Sequence, residues 1–137
     1  MIKLVYGPKG FGKTKIILDD VNSAADKAKG NVVFITDKKI CSVSIDLNVR
    51  CVYAEEYGVS SIKEFDGFIK GLIAGNSDIE YLFIDGIARI TKATLVEMKE
   101  FFDTIEKFSK ENGLKVEMTI SAAKEDLPDF MLNYLAY

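Results

Sequence analysis

The sequence contains no histidine. That absence removes the commonest general base and metal ligand, along with every Ser-His or Cys-His nucleophile pair. Arginine is confined to Arg50 and Arg89, too few for the arginine clusters that spread charge over a transferring phosphoryl group in nucleoside-monophosphate kinases. The two cysteines, Cys41 and Cys51, have no C-x-x-C spacing and read as reduced thiols rather than a metal or redox pair. No stretch approaches the ~20 apolar residues of a membrane span. The first apolar run is cut at Gly7-Pro8, short of the ~7–15-residue core of a secretory signal. A cytoplasmic protein is expected. The 18 basic and 21 acidic residues are interspersed and leave a net charge of −3, with no basic patch to favour nucleic acid.

What is present fits one domain over residues 1–137, since 48% of the 137 residues are hydrophobic. Five strand patterns alternate with helical ones. "IKLVY" (Ile2 to Tyr6) is followed by a helical pattern from Lys13 to Ala28, and "NVVFIT" (Asn31 to Thr36) is a continuous apolar run of the kind buried on both faces. Residues 37–49 fit strand, loop or short helix. "RCVYA" (Arg50 to Ala54) reads as a strand, and Ser61 and Glu64 have the spacing of a capping box ahead of a helix. Gly67, Gly71 and Gly75 fall four apart along that helix and suggest close backbone packing. "YLFID" (Tyr81 to Asp85) is a buried-type strand closed by an acid. A long helix is expected from about Lys92 to Lys110, a strand over "KVEMTIS" (Lys115 to Ser121), and a short last helix with Pro128 in its first turn. The alternation predicts a three-layer α/β sandwich around a mainly parallel five-stranded sheet.

"GPKGFGKT", from Gly7 to Thr14, matches G-x-x-x-x-G-K-[ST] in full between a strand and an amphipathic helix. Chance would supply such a match in roughly one chain in two hundred of this length. The chemistry requires those residue types. Backbone N–H groups converge on a phosphate only where Gly7, Gly10 and Gly12 allow positive φ and close approach. The helix opening near Lys13 adds free N–H groups and a positive dipole end. Lys13 reaches the terminal phosphates, and Thr14 places a hydroxyl where Mg²⁺ bridges them. Pro8, Lys9 and Phe11 fill the variable positions; Lys9 is either a further phosphate contact or a solvated lysine. Asp85 is delivered to the carboxyl edge of the sheet, where it can hold the metal through its water shell.

On these residues the chain resembles the P-loop NTPases. Gly7–Thr14 looks like Walker A, "YLFID" like Walker B, and "TIS" (Thr119 to Ser121) like the sensor strand of the RecA-like branch, which lies between the other two. The string also resembles short clostridial and related Firmicute proteins loosely labelled ATP-binding or twitching motility PilT-like. True pilus-retraction ATPases are similar only around the phosphate loop, being much longer and using a histidine-containing box. The resemblance implies ATP and Mg²⁺ as ligands and a RecA-like sheet.

One departure matters. The catalytic Glu usual after the Walker B Asp is replaced by Gly86. Glu56 is the first-choice substitute, with Glu55 and Asp37 as alternatives; the ordinary reading of each is a solvated acid or a helix cap. Arg89, four residues after Asp85, is a finger in cis or toward a neighbouring subunit, or an ordinary surface arginine. Three functions stay open: a slow Mg-dependent ATPase or switch, a non-hydrolysing ATP-binding module serving a protein partner, and a small-molecule kinase. The oligomeric state is undetermined.

Overall fold

The computed structural model describes residues 1–39 and 44–137. Five strands form one sheet: β1 (Ile2–Gly7), β2 (Asn31–Thr36), β3 (Val49–Tyr53), β4 (Ile79–Ile84) and β5 (Lys115–Ser121). Every pairing is parallel, in the order β1-β5-β4-β2-β3. Parallel neighbours need crossovers, and the helices α1 (Lys13–Lys27), α2 (Ile62–Gly75), α3 (Ile87–Thr91) and α4 (Lys99–Asn112) lie within them. Strand β5 sits between β1 and β4, the place that the resemblance implies for the sensor strand.

The buried strands are apolar on both faces because each face is covered. Along β2, Val32 and Phe34 pack with Ile17, Val21 and Ala24 of α1, whereas Val33 and Ile35 face the opposite core of Phe65 and Ile69 from α2 and Phe101, Phe102 and Ile105 from α4. The result is the three-layer α/β sandwich expected from the alternation. Residues 44–48 form no regular element and Val49 opens β3, while residues 40–43 of the ambiguous 37–49 stretch, Cys41 among them, lie outside the described residues.

Three expectations are corrected. The helix expected from Lys92 to Lys110 is broken: α3 ends at Thr91, Lys92 takes a left-handed φ of 55°, and α4 begins only at Lys99 after a 3-10 turn. The break has two causes in side-chain chemistry. The Thr91 hydroxyl donates to the Ile87 carbonyl at 2.8 Å, and Glu97 accepts from both the Thr94 N–H and hydroxyl, restarting the chain as a capping box does. The glycines 67, 71 and 75 have nothing within 4 Å of an added Cβ, so they face open solvent rather than a packed backbone. The last segment is 3-10 turn over Asp129–Tyr134, after which Leu135 bridges to Leu4 and the tail runs along the outer side of β1. In contrast, the Ser61 cap holds: its hydroxyl oxygen accepts from the Glu64 N–H, while the Glu64 carboxylate accepts from Ser60 N–H.

Candidate functional site

The site forms where β1, β4, β5 and β2 end together, at the carboxyl edge of a parallel sheet. After β1 the chain turns through Gly10 and Gly12, at φ 88° and 93°, before α1 starts at Lys13. Both φ values lie where L side chains are strained, which is why glycine stands there. Gly12 caps α1 with no side-chain acceptor, leaving the first-turn N–H groups free for another partner. Lys13 folds back over the loop, its Nζ donating to the Pro8 carbonyl at 2.8 Å. It is nearly enclosed, and burial holds its ammonium below the ordinary lysine range, helped by Arg89 and opposed by Asp85.

Asp85 is the hub. Its carboxylate is 1% exposed yet fully engaged. One oxygen accepts from the Thr119 hydroxyl at 2.6 Å and the other from the Thr14 hydroxyl at 3.3 Å. Thr119 in turn accepts from the Gly86 N–H at 2.7 Å. The three sequence features thus meet: Thr14 from the glycine loop, Asp85 from the end of β4 and Thr119 from β5.

Arg89 completes the far wall. Its Nη2 lies 3.6 Å from Asp85 Oδ2 and its Nε 3.4 Å from Asp37 Oδ2. Its guanidinium covers Gly86 so closely that a Cβ there would fall 2.3 Å from Arg89 Cζ. Gly86 also has φ 79°. Position 86 therefore cannot carry the glutamate that the resemblance would place there without displacing Arg89. Burial raises the Asp37 pKa, but the hydrogen bond and charge of Arg89 outweigh it and hold the carboxyl below its usual range.

Around these groups opens a cleft of about 710 Å³, well within the size of small-ligand sites. Lys9, Lys13, Lys38, Lys39 and Arg89 bring five positive charges to it, and Asp37 and Asp85 return two. Such a lining focuses potential on a polyanion. Lys38 and Lys39 were not singled out by sequence reasoning; their signal was a pair of lysines directly after a buried strand ending at the same edge. Among the expected acids, Asp37 reaches the cleft. Glu55 lines an adjoining cavity that also touches Asp37 and Arg89. Glu56 is not brought to either: it is exposed on the 3-10 turn Ala54–Tyr57 beyond edge strand β3. Pro8 and Phe11 do not line the cleft, and Phe11 packs outward over Gly7.

No group of three or more acidic, histidine or cysteine side chains able to hold a metal occurs among the described residues. Asp85 and Thr14 offer two hard oxygens, which suits Mg²⁺, an ion that takes one or two protein ligands and fills its shell with phosphates and water. No family model matches the chain, and no curated protein matches it either.

Proposed function

We propose that the protein binds a nucleoside triphosphate, ATP, together with Mg²⁺ as a P-loop NTPase does, and hydrolyses it slowly. The observation carrying this reading is the convergence on Asp85 of Thr14, Thr119 and Arg89, directly beside Lys13 and the first turn of α1, which has no side-chain cap. Thr14 and Asp85 are the residues that would hold Mg²⁺, which when bound offsets charge on the phosphates. Lys13 exchanges the Pro8 carbonyl for phosphate oxygens, and Lys9, Lys38 and Arg89 neutralise the rest of the chain. A buried lysine with lowered pKa loses its desolvation penalty on meeting an anion.

Slow turnover follows from the acid that is left. Asp37 is the cleft carboxylate not assigned to the metal, and Arg89 keeps it ionised and weakly basic. A base so far below the operating pH gives little driving force for taking a proton from water. The same restraint supports a second reading, a non-hydrolysing module whose bound state is read by a protein partner. With no membrane-spanning helix among the described residues, the cytoplasm, where Mg-ATP is plentiful, is the proposed setting.

A phosphate-release assay with Mg-ATP separates the two. The first reading predicts release below the ~1 s⁻¹ low end of ordinary enzymes, abolished by Lys13→Ala. Stoichiometric binding with no release selects the module, and absence of a Mg-ATP-induced rise in melting temperature contradicts both.

A further inference from the structure

Of the nine phenylalanines, only Phe11 is exposed, and it lies inside the glycine loop. It is 52% exposed, and beside it Tyr137 is 55% exposed. Their ring centroids are 6.3 Å apart with planes inclined by 30°. Tyr137 stacks on Tyr6 of β1 at 4.7 Å, and the tail holding it is fixed by Ala136 N–H donating to the Leu4 carbonyl at 2.9 Å. Both tyrosine hydroxyls are spent on backbone carbonyls: Tyr6 donates to Tyr137 and Tyr137 to Tyr6. An aromatic step of Phe11 and Tyr137 therefore stands in water outside both core clusters, flanking the charged cleft rather than lining it, with Phe11 set between the cleft-lining Gly10 and Gly12.

Its position has a direction. Asp85, Arg89 and Lys38 lie on the β4 and β2 side of the loop, so a metal-bound terminal phosphate belongs there. β1 is hydrogen-bonded to β5 on its inner side, so the tail that bridges Leu4 runs on its outer side. A phosphate chain crossing the loop away from Arg89 emerges at Phe11 and Tyr137.

Resting on the reading of the cleft as a triphosphate site, we infer that Phe11 and Tyr137, backed by Tyr6, stack the base of the ligand. The ligand class is then a nucleoside triphosphate rather than an inorganic polyphosphate. Stacking is tolerant because every base has a π-face, and the spent hydroxyls leave the step nothing with which to read a base edge. Adenine and guanine are accepted alike.

The test is calorimetric titration with Mg-ATP, Mg-GTP and Mg-tripolyphosphate. The wild-type chain is expected to bind ATP about tenfold or more tightly than tripolyphosphate, with GTP within about threefold of ATP. Tyr137→Ala and Phe11→Ala each weaken ATP by about 5- to 50-fold and leave tripolyphosphate unchanged, and Tyr137→Phe keeps the wild-type ratio. Equal wild-type affinity for ATP and tripolyphosphate overturns the stacking step while sparing the phosphate site, and needs no variant. Variants that weaken both ligands alike, or a preference above about tenfold between ATP and GTP, also overturn it. Failure of all three ligands to bind overturns the triphosphate reading and the step with it.

Discussion

Two carboxyl groups are buried against the same sheet and have opposite fates. Asp85, at the end of β4, is 1% exposed and accepts from two hydroxyls, Thr14 of α1 and Thr119 of β5. Glu117, in the middle of β5, is 7% exposed, and its Oε2 has no hydrogen-bond partner. Lys3 lies 3.5 Å from its Oε1 and is shared with Asp20 of α1, whose own carboxyl also faces Glu117. Burial alone therefore does not decide how a carboxyl group is served: Asp85 has a hydroxyl donor on each oxygen, whereas Glu117 keeps one oxygen unmatched. Glu117 follows the other course: burial first, then the hydrogen bond and charge of Asp20, push its pKa up to about 8 against the opposing pull of Lys3.

The largest expected effect breaks the comparison at Asp85. Asp85→Ala removes the shared acceptor of Thr14 and Thr119 and should weaken Mg-ATP binding about 100-fold or more, read by calorimetry with and without Mg²⁺. Glu117→Gln should leave that affinity unchanged. The next effect is on stability. Glu117 has a folded pKa above its unfolded value, so the native state holds an extra proton between about pH 4.5 and pH 8. Stability therefore falls as pH rises through that window, by about 2–4 kcal/mol in total. In Glu117→Gln the melting temperature should lose most of this slope, and an unchanged slope would refute the assignment.

A smaller effect comes from Thr119, which joins the Gly86 amide to Asp85. Thr119→Val leaves one buried donor and one acceptor unmatched and should cost about 1–3 kcal/mol in chemical denaturation. The smallest contrast separates two acids for the same role. Asp37→Asn should lower phosphate release by about tenfold with affinity kept, whereas Glu56→Gln, far from the cleft on its exposed turn, should change neither.

The placement of the candidate site was legible in the sequence where it is local. Gly7–Thr14 is one contiguous turn, and the four apolar residues before Asp85 fix both a buried strand and the edge at which it ends. What depends on strand order was not. Glu56 and Asp37 both follow strands, but β3 is the sheet's outer strand and β2 an inner one, so only Asp37 reaches the cleft. The helix break at Lys92 was hidden because the apolar period runs on through it; the Thr94-x-x-Glu97 spacing was the available signal. A stripe of small residues at 67, 71 and 75 shows which residues share a face, but not what lies against that face. Tyr137 meets the loop through the tail's contacts with Leu4 and Tyr6, more than a hundred residues away in sequence, and no local pattern encodes that.

The most direct test follows backbone amide shifts during titration with Mg-ATP. The account predicts the largest shifts at Gly10, Gly12, Lys13 and Gly86, with Glu117 and Asp20 unmoved. Shifts centred on Glu117, or none at the glycine loop at saturating nucleotide, would contradict it.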